Sequence, residues 1–474
     1  MQSITVSGYV NVHYNILPPL LYLFKKFKGT DHHQILIIGA GPAGLLLALL
    51  LSQHSIPSLV LESWPHLDTR LRATQYGVPA TRVFARAGVL PDLREAGMNN
   101  FPGVCWRTAQ KENRTGDKVV GEGEKLVSID LNVVQGEEDR MVVMQLGQML
   151  EILYRHCLER GRGLVEVRFG TKVVGVGEEA GKAWVDVESE ERTERLLADY
   201  VVGCDGASST VRRSLFGREW PGETMPYRFV VQNVYYDGFE KHGWNGGNYI
   251  VDPDHWGLIA HRGSSGLWRV TYGDSRTDLS DEEILARRPW HMEAMLPGKP
   301  KPDQYRIEQT NIYNTHNRCV DKLKVGRIFL TGDAAHVCNP MGGYGCMSAI
   351  LDVDGLATCF AGYYHGKASE DILETFADVR RDLFLKYVDA RSMKNLNRVA
   401  RSDPATVKDT DKFFQLLIEL NKDQQKMKEF LLKVSSIEYD FKQHYFPGHG
   451  GSTRSEKPNL AGDEVAGNIE VVDV

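Results

Sequence analysis

The sequence predicts an α/β fold with a parallel sheet, a β-rich insertion and helices towards its C-terminal end. Three observations predict it. Continuous apolar runs that stop at glycine read as strands buried on both faces. Such runs alternate with apolar helical stretches near both ends of the body. Between them lies a series of strand patterns without helices, which marks a second structural layer.

The first structured signal is residues 34–39, an apolar strand ended by glycine, followed by a helix over 43–53 and a second strand over 58–62. Residues 81–97 read as helical, with breaks at Gly88 and Pro91. Gly, Glu and Lys dominate 113–125, an exposed hairpin or loop. Helical periodicity runs over 148–160, strand alternation over 184–188, and a buried strand over 197–202. Strands then follow at 229–236, 256–262 and 267–272, the last two joined by a hairpin at 263–266. The α/β character returns at 327–331, and helices cover 349–401 and 408–434.

These elements divide the chain into a discontinuous nucleotide-binding part (34–112, 145–220 and 325–400), a β-rich substrate part (221–324) and C-terminal helices (401–446). Residues 1–33 read as a flexible arm and 447–474 as a flexible polar tail. In the arm, the apolar stretch 16–24 is interrupted by Pro18 and Pro19 and followed by Lys25, Lys26 and Lys28. It is too short to span a bilayer and its charges lie on the wrong side for a signal peptide. A loose arm is expected, with an interfacial anchor as the alternative.

The 474 residues suffice for a large core and two or three domains. The 62 acidic and 56 basic residues are interleaved, with a net charge of -6, so no basic stripe offers nucleic acid a track. Seven cysteines, an odd number without metal-ligand spacing, fit a reduced, cytoplasmic protein that holds no metal.

Three motifs carry chemistry. Gly39-Ala-Gly41-Pro-Ala-Gly44 lies between a strand and a helix, the context in which a glycine turn binds a dinucleotide. Gly39 allows the tight turn, Gly41 the approach of a pyrophosphate, and Gly44 the close packing of helix on strand. Glu62 ends the next strand, where its carboxylate can accept from ribose hydroxyls and repel a 2′-phosphate; FAD or NAD fits better than NADP. The second motif ends a strand in Cys204-Asp205-Gly206, with Ser208 or Ser209 able to cap the following helix. Read alone, Asp205 is a turn or cap residue. The third runs from Gly326 through Gly332-Asp333-Ala-Ala-His336 to Pro340, Gly342, Gly343 and Gly345. Asp333 can accept from a ribityl hydroxyl, and the glycines lead into a helix N-terminus able to stabilise charge on a flavin ring.

In order and separation these motifs resemble the single-component FAD-dependent aromatic hydroxylases, the group of para-hydroxybenzoate hydroxylase, phenol hydroxylase and many fungal secondary-metabolite hydroxylases. The resemblance covers about residues 34–400. It implies a Rossmann-like FAD-binding domain in which the first motif holds the ADP part and Asp333 the ribityl chain. Asp205 is associated there with FAD and the nicotinamide cofactor. Arg72 matches an arginine that reaches the cofactor, Gln148 (with Gln145 as competitor) a glutamine at a helix start, and the backbone of Gly343, Gly345 and Cys346 the flavin contacts. Tyr344 and Met347 stand where many members carry Gln and Asn. His336 reads as a packing residue before a proton donor.

The resemblance also implies a reaction: NAD(P)H reduces FAD, molecular oxygen adds to form a flavin hydroperoxide, and one oxygen atom passes to a small aromatic substrate, best as its phenolate. With no second nucleotide fingerprint, the nicotinamide is a transient co-substrate. Arg212 and Tyr235 are the residues expected to orient substrate or cofactor, with His261 and Arg269 as further candidates. Epoxidation of an indole or alkene, a flavin-dependent dehydrogenase, and a non-enzymatic binding protein on the same scaffold are the alternatives.

Overall fold

The structure, a computed structural model, describes residues 32–448 except 71, 100, 135, 137–138, 190–192, 263–265 and 434–436. The expected N-terminal arm, the polar tail and the tip of the 263–266 turn lie outside the described residues.

Strand His32–Ile38 is the centre of the first sheet and pairs in parallel with Ser58–Leu61 on one side and Thr193–Gly203 on the other. Val165–Arg168 extends the first edge in parallel. The end of Thr193–Gly203 also pairs in parallel with Ile328–Leu330, so the chain re-enters this sheet after the insertion, as expected. Parallel strands need cover on both faces. Helix Pro42–Gln53, apolar all round, supplies it: Leu45, Leu46, Leu47, Leu49 and Leu51 are fully buried. Helix Tyr344–Tyr364 is apolar for the same reason. It is the only helix among the described residues with the length and apolarity to cross a membrane, and 78% of its apolar stretch is buried inside the fold.

The second sheet has eight strands, His336–Val337, Arg306–Cys319, Gly222–Tyr235, Leu267–Asp274, Gly257–His261, Gly247–Val251, Gly103–Thr108 and Lys125–Asp130, in that spatial order. Its last two strands come from well upstream. Gly103–Thr108 was expected with the nucleotide-binding stretch 34–112; instead it pairs in parallel with Gly247–Val251, from Gly247 opposite Val104 to Val251 opposite Thr108. Such a pairing spans about 140 residues of chain and leaves no local trace. Strands Asn113–Thr115 and Lys118–Val120 form the exposed hairpin expected there.

Register fixes which side chains share a face. Asn233 lies opposite Arg269, Arg269 opposite Ala260, and Phe229 opposite Tyr313. The other face presents Val230, Val234, Ile259, Trp268, Val270 and Tyr272 to the buried Ile284, Met292 and Met295 of helices Asp281–Ala286 and Arg288–Met295. On the first face, Trp106, Phe229 and Trp256 pack with Leu396 and Val399 of helix Ala390–Arg401 and Phe414 and Leu417 of helix Lys412–Leu420. The C-terminal helices therefore wall the side of the second sheet that carries Arg269 and Tyr313.

Candidate active site

The glycine turn is built from two crowded positions and one open one. A Cβ on Gly39, where φ is +105°, would lie 2.6 Å from the Cys204 carbonyl oxygen. A Cβ on Gly44 would lie 1.9 Å from the Gly39 oxygen, whereas one on Gly41 would meet nothing within 4 Å. Gly41 caps helix Pro42–Gln53 from an extended conformation, so that the first helical N–H groups face this open space. Glu62 is tied to the turn: Ala40 N–H donates to Oε2 and Trp64 N–H to Oε1, each at 2.8 Å. Ser63 Oγ also donates to Oε1, at 3.1 Å, so Oε2 is the oxygen that keeps a lone pair for a ribose hydroxyl.

Gly39 also abuts Cys204 and Asp205, which brings the second motif against the first. The Asp205 carboxylate, however, accepts from Ser209 Oγ at 2.5 Å and from Thr210 N–H at 2.6 Å. It caps helix Thr210–Phe216, and Ser209 rather than Ser208 is the second cap, accepting from Arg212 N–H at 2.9 Å. The Asp205 carboxylate is thus engaged with the start of its own helix, and the Asp205-Gly206 segment meets the first glycine turn through its backbone.

The third motif ends strand Ile328–Leu330 and turns sharply at Gly332, where φ is +55°. Asp333 is open to solvent, yet protein surrounds it on most sides, the condition of a carboxylate lining a deep cleft. This enclosure raises its pKa; the opposing influences of His336 and Arg72 come second and third. Gly343, at φ +70°, caps helix Tyr344–Tyr364, and a Cβ on Gly343 or Gly345 would meet nothing within 4 Å. Cys346 faces the same space; burial, then the Asp333 charge, push its thiol up to about 12.

Comparisons with known proteins decide what this cleft belongs to. A family model described as FAD binding domain matches residues 32–391. A para-nitrophenol 4-monooxygenase of Pseudomonas sp. strain WBC-3 is 33% identical over 405 residues, 85% of this chain and 95% of that protein. The chain belongs to the single-component FAD-dependent aromatic hydroxylases. A 6-hydroxy-3-succinoylpyridine 3-monooxygenase of Pseudomonas putida is 31% identical, over 78% of this chain and 90% of that one. The solved p-nitrophenol 4-monooxygenase of Pseudomonas putida superposes with a TM-score of 0.77 at 30% identity, over 86% of this chain and 99% of that one.

As a hydroxylase of this family the chain uses FAD, and the residues present fit that group. Gly41, Gly343 and Gly345 each border open space, and the Asp333 carboxylate has room for a hydroxyl donor. Arg72 stands within electrostatic reach of Asp333 and Tyr313, its Nε 3.5 Å from Asp68 Oδ2. Gln148 and Gln145 are reciprocal partners at the start of helix Leu146–Glu159, Gln145 N–H donating to Gln148 Oε1 at 3.4 Å. That helix start abuts Asp68 and Thr69, so both glutamines border the arginine loop.

Of the residues expected to act on substrate, the structure redistributes several. Arg212 is 6% exposed, with Nη1 on the Ala334 carbonyl at 3.2 Å, Nη2 on the Ala207 carbonyl at 2.7 Å, and its guanidinium 3.5 Å over Trp220. It braces the second and third motifs against each other, its guanidinium engaged with two carbonyls and an indole face. His336 is buried, bonded to Asp352 Oδ2 at 2.8 Å and stacked on Phe384, as expected of a packing residue. His261 lies on the far face of the second sheet, edge-on to Trp268. Tyr235 is half-buried under the Arg306 guanidinium at 4.1 Å, at the end of the strand that carries Asn233.

Arg269 does reach the cleft. Its Nη2 donates to Asn233 Oδ1 at 3.3 Å and its Nη1 to the Arg72 carbonyl, which ties the second sheet to the cofactor loop. Burial, then the neighbouring Arg262, bring its pKa down to about 9. Three residues went unnoticed in the sequence. Tyr313 shares the cleft with Arg269, Arg72 and Asp333. Asp352, fully buried, accepts from Gly332 N–H at 3.0 Å and from Arg380 Nε at 2.8 Å and so sets the turn before Asp333. Arg262 follows Leu258 and Ala260 in the alternation of a strand already recognised, the one signal that could have placed it on this face.

Proposed function

We propose that a phenol binds between the Gly343–Cys346 turn and the Arg269 face of the second sheet, and that Arg269 holds it as the phenolate. The observation that carries this reading is that Tyr313 lies within electrostatic reach of Arg269, Arg72 and Asp333 together, and that Arg269 is bonded to the carbonyl of Arg72, whose charge in turn reaches Asp333. Ring carbons ortho and para to an ionised oxygen are the electron-rich positions, so a cation that favours the phenolate favours attack there. With a pKa near 9, Arg269 is charged at neutral pH. An epoxidase would have no use for a cation facing a ring oxygen.

Bound FAD, reduced by NAD(P)H, supplies the activation of molecular oxygen. The chain's own residues do the rest. Gly39, Gly41, Gly44 and Glu62 hold the ADP part, Asp333 the ribityl chain, and the backbone of Gly343, Gly345 and Cys346 the ring, with Arg72 and Gln148 at the border. Tyr235 closes the substrate side beside Arg262. The C-terminal helices, packed on Trp106 and Trp256, keep water from the ring. The relatives' names support the substrate class: a nitrophenol in one and a hydroxylated pyridine in another. A third, from Burkholderia vietnamiensis, acts on 3-(3-hydroxyphenyl)propionate. The seven free cysteines suit a cytoplasmic protein.

The test is a screen of phenols for stimulated NAD(P)H oxidation, with products weighed by mass spectrometry. A phenol that gains one oxygen atom supports the reading; oxidation that yields only peroxide with every phenol defeats it.

A further inference from the structure

Strand Arg306–Cys319 brings Tyr313 to the cleft, and alternation puts Asn317, four residues on, on the same side. Asn317 is 4% exposed, and its amide is bonded at both ends. Nδ2 donates to Asp389 Oδ1 at 2.6 Å and to Ser392 Oγ at 3.0 Å. Oδ1 accepts from the Asn339 N–H at 2.9 Å and from Asn339 Nδ2 at 3.3 Å. Because an ionised carboxylate only accepts, Asp389 fixes which way this amide faces. Asn339, 1% exposed, passes the grip on. Its Nδ2 also donates to Ser392 Oγ at 3.1 Å, and its Oδ1 accepts from the Met341 N–H at 3.1 Å. Asn395, three residues beyond Ser392 on the same helix, donates to the Met341 carbonyl at 3.4 Å.

These anchors come from different parts of the fold. Asn317 belongs to the second sheet. Asp389 ends a π-helical turn, Phe384–Asp389, whose first residue stacks on His336. Such turns recur at functional sites. Ser392 and Asn395 lie on helix Ala390–Arg401, which also packs on the second sheet. What they hold together is the turn 339–343, which leads directly to Gly343, Gly345 and Cys346. The turn is tight: at Gly342, where φ is +122°, a Cβ would lie 2.4 Å from Tyr344 Cε2 and 2.8 Å from Asn395 Nδ2. A buried network with its donors paired holds one geometry, and losing a member leaves its partners unmatched where water cannot replace it. We propose that Asn317 is a positioning residue for the flavin ring: it locks the turn 339–343 to the strand that bears Tyr313 and so sets how the ring sits in the cleft.

The proposal rests on the reading that the flavin ring lies against the Gly343–Cys346 turn, and its test separates the two. The readout is the visible circular dichroism of the FAD-loaded enzyme, which reports the surroundings of the ring and needs no substrate. The Kd for FAD and the Tm are measured beside it. Asn317→Leu, close in volume but unable to hydrogen-bond, should change the flavin spectrum. Its Kd for FAD should stay within about threefold of the parent's, because the ADP end is held at a distant site. Asp389→Ala should change the spectrum in the same sense, whereas Asp389→Asn, which can still accept from Asn317, should restore the parent's. Should Asn317→Leu fail to fold, the two Asp389 variants decide. A parent spectrum in Asn317→Leu overturns the proposal, as does Asp389→Asn behaving like Asp389→Ala. So does a spectrum that changes only as FAD affinity and Tm fall with it, which would make the network a brace for the fold alone. Gly345→Leu, which fills open space at the turn, tests the ring's location by itself. An unchanged spectrum there defeats that reading. A spectrum altered by Gly345→Leu and unmoved by Asn317→Leu defeats only the proposal.

Discussion

Replacing Asp333 by asparagine separates cofactor binding from folding, because the two should move in opposite directions. Among the described residues no protein donor satisfies the Asp333 carboxylate, and enclosure raises its pKa above that of a free carboxyl. A carboxyl whose folded pKa is raised subtracts from stability once the pH climbs above its unfolded pKa, so at neutral pH the charge opposes folding of the FAD-free protein. Asp333→Asn removes that charge, and the Tm of the FAD-free protein should hold or rise. In the FAD-loaded protein the same carboxylate accepts a ribityl hydroxyl, a charge-assisted bond of about 1.5–3 kcal/mol. At about 1.4 kcal/mol per tenfold, the Kd for FAD should rise about 10- to 150-fold. Flavin fluorescence titration of the stripped protein and a thermal melt give both numbers. An unchanged Kd, or a Tm that falls along with affinity, would make Asp333 a structural turn residue and not a cofactor ligand.

Gly44→Ala would put a methyl 1.9 Å from the Gly39 carbonyl oxygen, so soluble yield and FAD content should both collapse; Gly41→Ala, with open space around it, should fold with an unchanged Tm and bind FAD more weakly. A flavin content equal to the parent's in either variant contradicts the assignment of the turn. Arg212→Ala should lower Tm and loosen FAD, and added FAD should restore turnover to within a few-fold. Turnover lost by orders of magnitude with FAD fully bound would put Arg212 back at the chemistry. Arg269→Gln removes a cation that a guanidinium keeps across the working pH range, so kcat/KM for a hydroxylated phenol should fall about tenfold or more with the flavin content at the parent's level. An unchanged kcat/KM would assign the phenolate to another group.

What the sequence shows and what it hides divide along physical lines. The glycine turn, Glu62 and the Gly332-Asp333 turn were legible because their function resides in contiguous backbone conformation, with Gly39 and Gly332 held at positive φ. Asp205 and Arg212 sit in an equally plain motif, but their partners are a helix N-terminus and the Ala334 carbonyl, and only the fold says which contacts win. The extent of the second sheet was hidden because Gly103–Thr108 finds its partner far along the chain. His261 and Arg269 looked alike as strand residues; one residue of register sends them to opposite faces. Asp352 reads as an anomaly in an apolar helix until Arg380 and Gly332 appear around it.

The claim that the arginine-lined cleft serves oxygen transfer to a phenol is tested most directly by isotope. Purified protein loaded with FAD is given NAD(P)H, a phenol that stimulates its oxidation, and isotopically labelled oxygen gas in unlabelled water. Oxygen transfer to a phenolate should leave one labelled oxygen atom in the ring product, at a carbon ortho or para to the original hydroxyl. Label drawn from water, or peroxide as the sole fate of the gas, would contradict it.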